Sequence, residues 1–180
     1  MDIVTQRRLD SANLAVTREL ACLGFYDEAM ASVDIYLVAF GRAYGWQHYG
    51  TTGDINIPCL SLAKLSDALF SRSHTSLRDV LRHEYAHAVA DLHRGLLRSR
   101  KFNEAFGASH SWDFEWEYDP EFHVSEYAAT APAEDFAETF MVFVRHKGSI
   151  PRKFSTPAIR RKWRFIGNLA KAITSGERRW

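Results

Sequence analysis

The sequence predicts an α+β fold that is mostly helical, and three observations carry that prediction. Apolar residues recur at helical spacing over several long stretches, and only one short stretch alternates as a strand does. An H-E-x-x-H run, His83-Glu84-Tyr85-Ala86-His87, falls inside one of the helical stretches. At 180 residues with 46% apolar content, the chain can bury one good core, so a single domain over 1–180 is expected.

Residues 9 to 23 carry Leu9, Leu14, Val16, Leu20 and Leu23 among polar residues, without glycine or proline, and predict a first helix. A second apolar segment runs from Ala29 to Tyr44 and ends at Gly45. Between Gly50 and Pro58, two glycines precede the alternating Ile55, Asn56 and Ile57. That pattern predicts a short strand, placed at a sheet edge because Pro58 lacks an amide donor.

Ser76 is a candidate cap for a helix beginning near Leu77, with Asp79 as a capping acid. The helix is expected to run through the H-E-x-x-H run to about His93 and to stop at Gly95. From Arg98 to His123 the sequence reads as a loop dense in aromatics, whose rings cover a core edge or form a rim that grips a partner. A further helix starts at Pro132, with Phe136, Phe140, Met141 and Val144 on its apolar side, and ends near Gly148 and Pro151.

Net charge is only +1, but its distribution is uneven. Six acidic side chains and no Lys or Arg lie between Ser111 and Glu126, whereas from Arg145 onward basic residues outnumber acidic ones eleven to one. The basic segment, about 150–180, is read as a helical extension docked through Trp163, Phe165, Ile166, Leu169 and Ile173, with its charges in solvent. A nucleic-acid partner is not expected from it. No apolar run approaches a membrane span and no h-region opens the chain, so a cytoplasmic location is expected. Cys22 and Cys59 lack metal-site spacing and read as buried free thiols.

Two imidazoles four residues apart sit about 40° apart on a helix, so His83 and His87 can bind one metal ion while Glu84 lies beside it. A catalytic zinc site takes three protein ligands and keeps a fourth position for water, which Glu84 can deprotonate. Val80, Leu81, Ala86, Ala88, Val89 and Ala90 make the helix apolar over much of its surface, which places the histidines in a cleft.

Two candidates compete for the third ligand. His93 completes a metzincin-like spacing, but Ala90 replaces the glycine that would turn the chain. On a continuing helix His93 points about 80° away from His83. The other candidate is the pair Glu134 and Glu138, which share a helix face; one can bind zinc while the other holds a ligand histidine.

The H-E-x-x-H run followed by Ser125-x-Tyr127-Ala-x-x-x-Pro132-x-Glu134-Asp-Phe-Ala-Glu138-x-Phe140 resembles the zinc-binding metallopeptidases of bacteria, which are gluzincins. The segment is also similar to the catalytic end of anthrax lethal factor, and His83 to Asp91 resembles the helix of thermolysin-type peptidases. The likeness covers about residues 78–145. It implies a zincin-like domain with a small sheet and one Zn2+, held by His83, His87 and Glu134. It further implies Glu84 as general base, Tyr127 as oxyanion donor, and Glu138, with Asp91, in support behind the ligands; Asp91 reads equally as a capping or surface residue.

The expected activity is zinc-dependent hydrolysis of a protein or peptide substrate, in which an extended substrate could pair with the Ile55–Ile57 strand. The alternatives are a metzincin-like enzyme using His93, a zinc hydrolase of a non-peptide amide, and a non-catalytic zinc-containing module that binds protein or nucleic acid.

Overall fold

The computed structural model describes residues 3–39, 45–49, 52–59 and 76–180. The end of the second apolar segment, 40–44, and the Gly50-Thr51 pair lie outside the described residues.

The chain is α+β and mostly helical, with one three-stranded sheet among the described residues. Helix α1 spans Gln6–Leu23, capped by the Thr5 hydroxyl and closed by Gly24, whose φ of 85° favours glycine. Its Leu9, Val16 and Leu20 are buried, whereas Leu14 faces solvent. The second apolar segment is not one element: a short helix α2, Glu28–Ala31, precedes strand β1, Asp34–Val38.

Strands β2, Gly45–Tyr49, and β3, Thr52–Pro58, complete the sheet. The order is β1-β3-β2, with β3 parallel to β1 and antiparallel to β2. The strand expected at an edge is therefore the central one. Its Ile55 and Ile57 are fully buried, and Pro58 stands at its end, where a missing donor costs no ladder bond in the interior. The edge that faces the next helix belongs to β2, whose five residues carry no strand signal of their own.

Helix α3, Leu77–Leu92, carries the H-E-x-x-H run; Ser76 caps it by accepting from the Asp79 amide. It ends at His93, and Gly95 falls inside the following short helix α4, Arg94–Leu97, rather than stopping α3. Gly95 is explained by close approach instead, since a Cβ there would collide with the Arg178 carbonyl oxygen.

The aromatic stretch holds one helix the sequence reading passed over: α5, Arg100–Phe106, between the Ser99 cap and Gly107 at φ 82°. Phe102 and Phe106, one turn apart, stack with centroids 4.5 Å apart and enter the core. Beyond it Trp112, Phe114, Tyr118 and Phe122 are exposed and do not cover the core, whereas Trp116 is half-buried beside His123.

A 3-10 turn, Tyr127–Ala129, leads into α6, Pro132–Arg145, and α7 spans Pro157–Thr174. The five apolar residues expected to dock α7 are all buried. A buried ion pair, Lys162 Nζ to Asp135 Oδ2 at 2.5 Å, ties α7 to α6, and Lys162 also donates to the Phe122 carbonyl. One hydrophobic cluster joins α1, β3, α3, α5, α6 and α7. Among the described residues no helix is long and apolar enough to cross a membrane. Both cysteines are free, but Cys22 is exposed rather than buried, and Cys59 is half-buried.

Candidate metal centre

Helices α3 and α6 pack side by side, and that contact brings together residues far apart in sequence. The four-residue spacing puts His83 and His87 on one face of α3, and the same spacing puts Glu134 and Glu138 on one face of α6. His83 Nε2 lies 3.1 Å from Glu134 Oε2, His87 Nε2 lies 3.5 Å from the same oxygen, and the two Nε2 atoms are 3.2 Å apart.

Glu134 Oε2 is buried, and no hydrogen bond in the described structure satisfies it. With both imidazoles neutral and Nε2 unprotonated, three acceptor atoms face one another across about 3 Å, and positive charge between them, from protons on the imidazoles or from a metal ion, relieves that repulsion. Zinc bonds of about 2.0–2.1 Å at tetrahedral angles put ligand atoms about 3.3 Å apart, which matches these spacings. His83, His87 and Glu134 thus form a set that could hold a metal ion.

The surrounding contacts fix the orientation of this set. His83 Nδ1 is 2.9 Å from Glu138 Oε1, and the Ser125 hydroxyl donates to Glu138 Oε2 at 2.7 Å. With its other oxygen occupied, Glu138 accepts the Nδ1 proton, which turns the Nε2 lone pair of His83 toward Glu134. Burial opposes charging His83, but Glu134 and Glu138 outweigh it and raise the imidazole pKa to about 10. Burial likewise opposes ionising Glu134, and its contacts with His83 and His87 overcome this, holding its carboxyl far below the usual range.

Glu84 is buried and accepts the Trp46 backbone N–H at 3.0 Å. Burial pushes its pKa up, the direction required of a base that must pick up a proton near neutral pH. Tyr127, on the 3-10 turn ahead of α6, is half-exposed, with its ring centroid 5.8 Å from that of His83. Burial and the adjacent Glu134 carboxylate push its phenol up to about 12, so it stays a proton-bearing donor.

His93 takes no part in this cluster: its Nε2 lies 3.5 Å from Asp27, the cap of α2, because α3 continues straight through Ala90. Asp91 touches neither histidine; it accepts the Trp46 indole N–H at 2.8 Å and pairs with Arg94 at 3.3 Å. Two residues near the centre escaped the sequence reading. Trp46 lies on a short strand with no distinctive pattern. His110 lies between the rings of Phe102 and Phe136, with a buried, unpartnered Nε2. Burial, with the charge of His87 next in weight, lowers its pKa to about 4 and keeps it neutral. Neither has a spacing signal that would have marked it.

Compared with protein-family models, with curated proteins and with solved structures, the chain matches none.

Proposed function

We propose that this chain is a zinc-dependent metallopeptidase with a zincin-like domain, in which His83, His87 and Glu134 hold one zinc ion. The observation that carries the reading is the convergence of two imidazole nitrogens and an orphaned carboxylate oxygen at 3.1 to 3.5 Å, close to the spacing of zinc ligands. Two histidines and one glutamate are also a donor set suited to catalytic zinc.

Zinc held by His83, His87 and Glu134 would supply a Lewis acid and acidify a bound water. Glu84 takes a proton from the attacking water and passes it to the leaving amine nitrogen as the C–N bond breaks. Its Oε2 is held by the Trp46 amide, which leaves the other carboxylate oxygen free to carry the proton. Tyr127 donates its hydroxyl to the oxygen that gains negative charge as the carbonyl carbon becomes tetrahedral. Glu138 and Ser125 keep His83 in the tautomer whose Nε2 faces the centre.

The test joins metal analysis to turnover. The purified protein is expected to carry one zinc per chain and to cleave an unfolded protein or a mixed peptide library. Glu84→Gln is expected to keep the zinc and lose about 10²–10⁴-fold in kcat. Retained zinc with undiminished turnover in that variant would remove Glu84 as base; retained zinc with no cleavage by the wild type would favour a non-catalytic zinc module.

A further inference from the structure

Trp46 is fastened to α3 at two points. Its backbone N–H turns away from β3, where it faces Ile55 in the register, and donates to Glu84 Oε2 at 3.0 Å. Its indole Nε1–H donates to Asp91 Oδ2 at 2.8 Å. Glu84 and Asp91 are seven residues apart, two turns of helix, so they lie along nearly the same face about 10 Å from each other. One residue of β2 therefore bridges two turns of α3, and both of its donors reach a carboxylate.

The indole has a seat prepared for it. Across the β2–β3 pair lies Gly53, where a Cβ would collide with the Trp46 ring and with the Gln47 carbonyl oxygen. Only glycine leaves room for the ring at this position, from which it reaches Asp91. With the ring fixed at one end by Asp91 and below by Gly53, the edge amide of β2 has little freedom to swing away from Glu84.

The geometry points to Trp46 as a positioning residue for the Glu84 carboxylate, held in place by Asp91 through the indole and by the room left at Gly53. The inference rests on the reading of Glu84 as general base. Asp91 then acts on the centre through β2 rather than through a ligand histidine. Misplacing a reacting group by about an ångström costs up to about 10²-fold in rate, so a clamp of this kind acts on kcat.

The experiment compares zinc-loaded Asp91→Ala, Asp91→Asn, Trp46→Phe and the Trp46→Phe/Asp91→Ala double variant. Asp91→Ala and Trp46→Phe are each expected to lower kcat about tenfold, with KM and zinc content within about twofold of wild type. Asp91→Asn keeps an oxygen acceptor for the indole N–H and is expected to restore most of the rate. The double variant is expected to be no slower than Trp46→Phe alone, because both changes break the same bond. Additive losses, an unchanged kcat in both single variants, or a fall in zinc content that tracks the rate would overturn the inference.

If the wild type binds zinc but cleaves nothing, the peptidase reading falls, and the clamp is judged separately from the Trp46 backbone amide resonance. Both Glu84→Ala and Asp91→Ala must then shift that resonance, and an amide unmoved by either change refutes the clamp.

Discussion

Two charged clusters lie along α3, and they are built on opposite principles. Toward its start, Arg82 makes a two-pronged pair with Glu19, with both contacts at 2.8 Å, and Asp79 accepts from Arg82, Arg145 and Ser76. A donor faces an acceptor at every contact. Burial raises the Asp79 pKa, but its three donors outweigh that and keep the carboxylate ionised; burial lowers that of Arg82, and Glu19 and Asp79 outweigh it. One turn further on, His83, His87 and Glu134 converge on one point, two imidazole nitrogens 3.2 Å apart against a single buried carboxylate oxygen. The first arrangement is complete without a ligand and serves the packing of α1, α3 and α6. The second gathers its donors around one point, a set that could hold a metal ion.

Exchanging the roles of the two clusters by mutation should fail in a definite order of size. Glu134→Gln removes the anionic ligand of the proposed centre and should reduce bound zinc to well below one per chain, measured by metal analysis after dialysis. Arg82→Met should leave zinc at one per chain but cost about 3 kcal/mol of stability, because it takes both contacts from Glu19 and one of three donors from Asp79. A loss of zinc in Arg82→Met comparable to that in Glu134→Gln would erase the distinction drawn between the clusters.

Smaller changes sharpen it. Tyr127→Phe should lower kcat by about 10²-fold with zinc intact, as the loss of one oxyanion donor does. Glu138→Gln should weaken zinc about 10–100-fold by loosening His83, as changes behind a ligand histidine do.

The smallest effect concerns pH. In the metal-free protein the His83 pKa is raised from 6.5 to about 10, so its proton-borne stabilisation is present in full below pH 6.5 and is lost as pH rises through about 10. Zinc must displace that proton. The rise in Tm on adding zinc should therefore grow between about pH 7 and about pH 9, read by thermal scans with zinc and with chelator. A constant difference across that window would mean that zinc does not compete with a proton on His83.

The sequence by itself determined the elements whose signals are local. The leucines and Val16 between 9 and 23 mark α1, which the structure begins three residues earlier at Gln6; Ser76 and Asp79 start α3, Pro132 starts α6, and the apolar stripe of α7 is legible as far as Ile173. It also determined that His83 with His87, and Glu134 with Glu138, would share faces, because a four-residue spacing does this on any helix.

Only the tertiary structure decided which faces meet. Nothing in the α6 sequence says that it packs beside α3 rather than elsewhere, so the 3.1 Å approach of Glu134 to His83 belongs to the packing. The same holds for β3, whose alternation fits an edge but whose two neighbours put it in the centre, and for Asp91, whose partner comes from another strand. Periodicity and caps act within one element, through bonds a few residues apart. A centre assembled from two helices, a turn and a strand depends on the burial of apolar faces that its polar residues do not themselves encode.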